Sequence, residues 1–207
     1  ANVTNEGGLN GSYRLLKNVM GLWVLQQCRA TWQREGYDYS YTELVEFAEQ
    51  AEPLKYIVDV DDMRFLAPGK HPQHIQAWCV EHDYPIPRTH GEIVRCVLES
   101  LALKYREVID KIQHISGREI EVIHIVGGGT QNELLNQFTA NATCKPVITG
   151  PIEATVLGNA AVQFIANGEI ANISEARAVI ADMGVTHTYQ PQDTEKWESA
   201  YQELLKL

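Results

Sequence analysis

Residues 123–137 read IHIVGGGTQNELLNQ, and the fold turns on them. Val122 to Val126 is a short apolar run of β-branched type, interrupted only by His124, the pattern of a buried strand in a parallel sheet. Gly127, Gly128 and Gly129 follow at once. Thr130-x-x-Glu133 is a capping box, so a helix is expected directly after the glycines. Pro146-Val-Ile-Thr149 reads as the next strand, and Pro151 opens a helix to about Ala166. Strand, helix, strand, helix is an α/β crossover. A short helix over Ser174 to Met183, an alternating extended stretch from Val185 to Tyr189 and a terminal helix over Thr194 to Leu207 complete this part.

Upstream of that crossover the pattern is helical. NEGGLNGS, residues 5–12, reads as a loop, with Gly7, Gly8 and Gly11 clustered. From Tyr13 a helix is expected to about Arg34. Leu15, Leu16, Val19, Leu22, Trp23 and Leu25 are too dense for one face, which predicts deep burial. Asn18, Leu22 and Gln26 then share one side of it, and two amides on an apolar helix need partners, from the fold or from a ligand. Ser40-x-x-Glu43 is a capping box for a helix to about Ala51, stopped by Pro53. Residues 54–70 form a connector with a short strand expected at Tyr56 to Val58. Pro72 opens a helix to about His82. Thr89-x-x-Glu92 caps a long helix ending near Gly117, with Ile93, Val97, Leu101, Tyr105, Val108 and Ile112 on one stripe.

Composition narrows the function classes. The chain has 207 residues, 44% hydrophobic and 21% charged, which suits one folded domain. No run of about 18 apolar residues exists to span a membrane. A net charge of −10 offers no basic footprint for nucleic acid. The opening ANVTNEGG has neither the basic nor the apolar part of a signal peptide, so a cytoplasmic protein is expected. The four cysteines, Cys28, Cys79, Cys96 and Cys144, have no zinc-type spacing and are expected as buried reduced thiols. Cys79 and Cys96 bracket a loop and are the pair able to meet. Asp59, Asp61 and Asp62 resemble the start of a calcium loop, but its glycine and final glutamate are missing, so a solvated acidic loop is expected. His71 and His74 read as surface histidines. Trp197, Tyr201, Leu204 and Leu205 have the spacing of a helix face that packs.

Three glycines between a strand and a helix start let a ligand approach the backbone and expose free N–H groups, which suits a nucleotide. The turn is neither GxGxxG, since position 132 is Asn132, nor a P-loop, since no GK[ST] follows. A ligand-free tight turn explains the same residues equally well.

The resemblance to a known family is more specific. TNEGGLNGSYRLLKNVMGLWVLQQ, residues 4–27, is similar to the rhamnulokinases, sugar kinases of the FGGY carbohydrate kinase family. VIHIVGGGTQNELLNQFTA, residues 122–140, with ITGPIEATVLGNAAVQ, residues 148–163, resembles the adenosine-binding turn of that family and the helix after it. The likeness runs from about Thr4 to about Tyr189. It implies an actin-like ATPase, ribonuclease-H-like α/β fold with a mixed sheet flanked by helices. The chain would be a single domain over residues 1–207, the C-terminal domain of a two-domain enzyme, with its first strands upstream of Ala1.

The resemblance also implies site residues. Asn18 faces the sugar, Gln26 contacts ATP, Gly128 contacts ATP through its backbone, and Gly127 and Gly129 shape the turn. The reaction implied is phosphoryl transfer from MgATP to L-rhamnulose, giving L-rhamnulose 1-phosphate and ADP. Mg²⁺ would sit on phosphates and waters with no ligand from this chain. The catalytic aspartate and the N-terminal domain lie upstream, so the chain alone is expected to be inactive. Cys79 and Cys96 match relatives, which keeps their pairing open. Another FGGY sugar kinase acting on fuculose, xylulose or gluconate, a non-catalytic nucleotide or sugar sensor, and a plain α/β interaction module stand as alternatives.

Overall fold

The glycine-rich opening is a β-hairpin and not a loop leading into a helix. Strand β1, Thr4–Gly7, pairs antiparallel with β2, Tyr13–Leu16, and Arg14 meets Glu6 across the pair at 2.5 Å. Asn10 (φ 57°) and Gly11 (φ 71°) adopt left-handed backbone in succession at the turn, which Asn and Gly tolerate best. The computed structural model describes residues 3–184 and 186–206. Its chain divides into two units, residues 1–120 with 193–207, and residues 121–192.

In the first unit, residues 17–22 between the hairpin and the next helix have no regular repeating structure. Gly21, at φ 59°, allows the turn into helix α1, which begins only at Trp23 and runs Trp23–Arg34. This corrects the expected helix from Tyr13: the Leu15–Leu16 pair belongs to a strand. α1 is amphipathic and not apolar all round, burying Val24, Leu25, Cys28, Thr31 and Trp32 along one face. Helix α2, Tyr41–Glu49, starts with the Ser40/Glu43 box formed in both directions.

The strand expected at Tyr56 to Val58 is absent, although Tyr56, Ile57, Val58 and Val60 are buried. Side chains of the long helix replace a ladder there. Val58 N–H donates to Ser100 Oγ at 3.0 Å, and Tyr56 hydroxyl donates to Glu92 at 2.7 Å. Helix α3 is His71–Glu81, with Pro72 in its first turn. Its His71 is fully buried, contrary to the surface expected for it, and its Nε2 lies 3.2 Å from the Phe65 carbonyl.

Helix α4, His90–Ser116, ends at Gly117 in the left-handed conformation. Its capping box is complete. Burial opposes the Glu92 charge, but the Thr89 and Arg88 N–H groups and the Tyr56 hydroxyl hold its carboxyl down at about 2. From Ile93 to Lys104 the helix is buried on every side, so the single apolar stripe understates it. Helix α8, Thr194–Leu204, packs on α4 through Trp197, Tyr201 and Leu204, while Leu205 is exposed. The Arg106 guanidinium lies 4.1 Å from the centre of the Tyr201 ring and 2.5 Å from Glu198.

The second unit holds a mixed sheet in the order β3, β4, β5. β3, Ile123–Ile125, runs parallel to β4, Val147–Thr149, and β5, Thr188–Tyr189, is antiparallel to β4. Helices α5, Glu133–Thr143, α6, Ala154–Ala166, and α7, Ile173–Asp182, accompany it. β3 is only half-buried, with His124 exposed, so its apolar run does not mark a fully covered strand. In α6 only Ala161 is buried, and Val156, Val162 and Phe164 are exposed. Val185, where the extended stretch was expected to begin, and Leu207 lie outside the described residues. Among the described residues no helix is long and apolar enough to cross a membrane.

All four cysteines are free thiols, so Cys79 and Cys96 are not bridged. Cys144 is exposed, against the burial expected of it, while burial pushes the Cys79 thiol up to about 11 and that of Cys96 well above its ordinary value.

Two stability predictions follow from the first unit. A Cβ at Gly91 would stand 2.3 Å from the Phe47 carbonyl oxygen of α2, and backbone cannot give way cheaply. Gly91→Ala is therefore expected to destabilise by about 1–3 kcal/mol despite its better helix propensity, read as a lower urea midpoint. Burial lowers the His71 pKa, and its buried Nδ1 has no hydrogen-bond partner among the described residues. The unfolded chain then binds more protons than the folded one below about pH 6.5, so this histidine costs stability as pH falls. Glu99, raised to about 7 by burial, acts in the opposite direction over part of that window. The difference between wild type and His71→Gln isolates the histidine: wild type should lose more stability between pH 7.5 and 5.5, measured as urea midpoints.

Candidate functional site

At the end of β3 the chain makes a backbone cradle. Gly127 has φ 81°, a left-handed conformation in which a side chain would be strained. A single turn of 3-10 helix covers Gly128–Gln131, and α5 follows only after Asn132. Asn132 is the N-cap, its Oδ1 accepting from Leu135 N–H at 2.9 Å, so the Thr130/Glu133 capping box is not formed. Thr130 instead turns its hydroxyl back to the Gly127 carbonyl at 2.8 Å. The helix still follows the glycines, two residues later than expected.

The carbonyls of this turn are used internally. Gly127 O accepts from Thr130 N–H at 3.1 Å, Gly129 O from Asn132 N–H at 3.2 Å, and Thr130 O from the Asn136 amide at 2.9 Å. Asn136 is fully buried, and its Oδ1 has no partner among the described residues. The Gly128 and Gly129 N–H groups, at the start of the turn, are not taken up in this way. Gly128 is exposed, and nothing lies within 4 Å of a Cβ built on it. Across the cradle runs the loop after β4: Gly150 N–H donates to Ile125 O at 2.8 Å, and Gly127 N–H to Pro151 O at 3.0 Å. Two adjacent parallel strands thus end in neighbouring open loops, the place where α/β sheets take ligands.

In the first unit Asn18 lies on the irregular segment 17–22 and Gln26 lies in α1. They do not share one helix. Both are exposed, and their side chains make no hydrogen bond to any described residue. The amides were expected to be buried and in need of internal partners; the structure presents them to solvent, where a ligand can take them. Around Asn18, Met20 N–H donates to Asp61 Oδ1 at 3.2 Å, Lys17 lies 3.6 Å from Asp61, and Trp23 Nε1–H donates to Phe65 O at 3.1 Å. Asp59 in turn lies 2.8 Å from Lys104, so Asp59 and Asp61 belong to paired contacts and not to a solvated loop. No cluster of three His, Cys, Asp or Glu side chains suited to a metal occurs among the described residues.

The family described as FGGY family of carbohydrate kinases, C-terminal domain, matches residues 1–167. The chain belongs to this family. It is 44% identical over 200 residues to the rhamnulokinase of Bacteroides thetaiotaomicron, covering 97% of this chain and 40% of that protein. It is 39% identical over 207 residues to the rhamnulokinase of Yersinia pestis (strain Pestoides F), covering 100% of this chain and 42% of that protein. The chain thus spans about two fifths of the length of the curated relatives it matches. Among solved structures, the xylulose kinase from Rhodospirillum rubrum is similar at a TM-score of 0.68 and 15% identity, covering 99% of this chain and 41% of that one. The Plasmodium falciparum glycerol kinase with ADP is similar at 0.63 and 17%, covering 94% and 38%. At these identities the likeness is one of fold, and the fold is the FGGY C-terminal domain, of actin-like ATPase type with a mixed sheet flanked by helices.

Asn132, Asn136 and Asp61 were not singled out as site-forming from the sequence. For Asn132 the signal was present, since asparagine is as good an N-cap as threonine. Asn132→Ala is expected to lower stability by about 1 kcal/mol, with Asn132→Ser recovering most of it, in urea unfolding of the chain.

Proposed function

We propose that this chain is the C-terminal, nucleotide-binding part of a rhamnulokinase, which transfers the γ-phosphoryl group of ATP to L-rhamnulose and yields L-rhamnulose 1-phosphate and ADP. The observation that carries the reading is the 39–44% identity to rhamnulokinases across essentially the whole chain. Structural likeness to kinases for other sugars lies at identities where only fold is informative. The exposed Val156, Val162 and Phe164, spread around a helix α6 that buries only Ala161, support a place within a larger protein, because so much exposed apolar surface is ordinarily covered.

In this reading the cradle of Gly127, Gly128 and Gly129 receives ATP, with Gln26 as a further contact, and Asn18 hydrogen-bonds a sugar hydroxyl. The cradle fits such a ligand. A Cβ on Gly128 would occupy open space that the ligand can use instead, and the Gly127, Gly129 and Thr130 carbonyls are satisfied internally, which leaves the Gly128 and Gly129 N–H groups to meet the ligand. ATP supplies the transferable phosphoryl group, with Mg²⁺ held on its phosphates. The residues of this chain bind and orient: in-line phosphoryl transfer is promoted chiefly by positioning and charge neutralisation. The general base and the N-terminal domain belong to the remainder of the kinase, and no catalytic residue is assigned here. The chain alone is inactive in this account.

Gly128 and Asn18 separate the two ligands. Gly128 is not at positive φ and has open space around it, so Gly128→Val should fold and its effect should fall on the ligand. In the full-length kinase its KM for ATP is expected to rise by about 5- to 150-fold, the equivalent of a clash of about 1–3 kcal/mol, with sugar binding little changed. Asn18→Ala is expected to raise the KM for L-rhamnulose by about 2- to 13-fold and to leave ATP alone. Paired titrations of sugar and MgATP check both, and an Asn18→Ala effect confined to ATP would reverse the assignment.

A further inference from the structure

The acidic residues 59–62 were set aside as a failed calcium loop, yet Asp61 reaches into the segment that carries Asn18. Asn18 stands on irregular backbone, where no helix or strand ladder fixes its direction. One of its neighbours, Lys17, brings its ammonium 3.6 Å from Asp61 Oδ2. Two residues further on, Met20 donates its backbone N–H to Asp61 Oδ1 at 3.2 Å. A single carboxylate therefore grips the chain on both sides of Asn18.

That carboxylate is itself anchored. Asp61 N–H donates to Asp59 Oδ1 at 3.0 Å, and the same Asp59 oxygen accepts Lys104 Nζ of α4 at 2.8 Å. Burial works against the Lys104 charge, but Asp59 and Glu107 outweigh it and hold the ammonium above its ordinary pKa. A relay thus runs from the buried half of α4 through Asp59 and Asp61 to the backbone beside Asn18. The Lys17 and Asp61 side chains line a cleft of about 200 Å³, so solvent screens their ion pair, and the hydrogen bond from Met20 is the more durable half of the grip.

We infer that Asp61 is a positioning residue for the sugar: it holds segment 17–20 so that the Asn18 amide meets the sugar hydroxyl, without touching sugar or nucleotide itself. The inference rests on the reading of Asn18 given above. It adds a residue that sets sugar affinity from the far side of the backbone.

The test uses the full-length kinase with Asp61→Ala, Asp61→Asn, Asn18→Ala and the Asp61→Ala/Asn18→Ala double variant, titrated with L-rhamnulose and with MgATP. Asp61→Ala should raise the sugar KM by roughly 2- to 13-fold, the worth of one hydrogen bond, with the KM for ATP within about twofold of wild type. Asp61→Asn keeps an oxygen for the Met20 N–H and should show a smaller rise. If Asp61 acts through Asn18, the double variant should be no worse for sugar than Asn18→Ala by more than about twofold. Amide exchange on the wild-type chain is a second measurement that no folding defect can obscure: the Met20 amide should be protected although it lies outside helix and strand. An unchanged sugar KM in Asp61→Ala, an equal rise for ATP, additivity with Asn18→Ala, or an unprotected Met20 amide each overturns the inference. If Asn18→Ala itself leaves the sugar KM unchanged, the reading of Asn18 fails and the positioning role fails with it. If Asn18→Ala raises the sugar KM and Asp61→Ala does not, only the role of Asp61 is lost.

Discussion

The ion pair between Arg95 and Glu99 lies inside the first unit, and the placing of α2, α4 and the turn between them depends on it. Both side chains project from α4 where that helix is buried on every side, with Glu99 only 1% exposed. Burying two charges is costly, and the pair is kept because each end does more than meet the other at 2.7 Å. Arg95 Nη1–H donates to the Ala48 carbonyl at 3.0 Å, which also accepts the Ala51 N–H at 3.2 Å where α2 ends. Glu99 accepts the Leu54 N–H at 2.9 Å, in a turn where Leu54 itself stands at φ 55°. The pair thus stitches the last turn of α2 and the strained start of the connector to the central helix. With α2 fixed in this way, the Phe47 carbonyl comes so near α4 that only glycine fits at position 91.

The same helix then supports the candidate sugar side by a second polar route. Ser100 takes the Val58 amide, and Lys104, one turn further on, takes Asp59. Connector residues that look unstructured in sequence are therefore held at intervals along α4, at Glu92, Glu99, Ser100 and Lys104. This explains why Tyr56, Ile57, Val58 and Val60 can be buried with no strand partner: polar groups of Leu54, Tyr56, Val58 and Asp59 along this stretch are met by side chains of the helix. It also explains how the segment that carries Asn18 can be held in place with no secondary structure of its own.

Legibility in the sequence followed the range of the interaction. The capping boxes at Ser40 and Thr89, the β3 and β4 strands and the helices α3 to α8 rest on local chemistry, and each was readable within one or two turns. The hairpin was not, because Leu15 and Leu16 fit a helical pattern equally well until Glu6 and Arg14, eight residues apart, are known to face each other. That error moved Asn18 off the helix it was thought to share with Gln26. The two amides are exposed, and not buried polar groups seeking relief, so the physical reason for noticing them is the opposite of the one expected. His71 was misjudged because a histidine early in a helix is ordinarily solvated, whereas here Phe65 folds over it, ring centres 5.7 Å apart. The glycine turn was legible as a strand-to-helix junction; the cap at Asn132 depended on the intervening 3-10 turn, which no periodicity marks.

Seen together, the two candidate sites obey one rule on how a ligand-facing backbone is made stiff. At the cradle Gly128 is exposed and Gly129 half-buried, and stiffness comes from a buried side chain in the first turn of α5, Asn136, whose amide holds Thr130 O. At the sugar segment the exposed group is Asn18, and stiffness comes from Asp61, itself tied to α4 through Asp59. In both, the residue proposed to face a ligand is attached to irregular backbone, and the residue that anchors that backbone lies behind it. Loops can conform to a substrate because they lack a ladder, and they can bind it tightly only if the entropy of ordering them is already spent in the folded state. A polar anchor from a rigid helix meets that requirement with one hydrogen bond per segment. It leaves the ligand-facing N–H groups and amides unengaged, which a helix or strand running through the same positions would not.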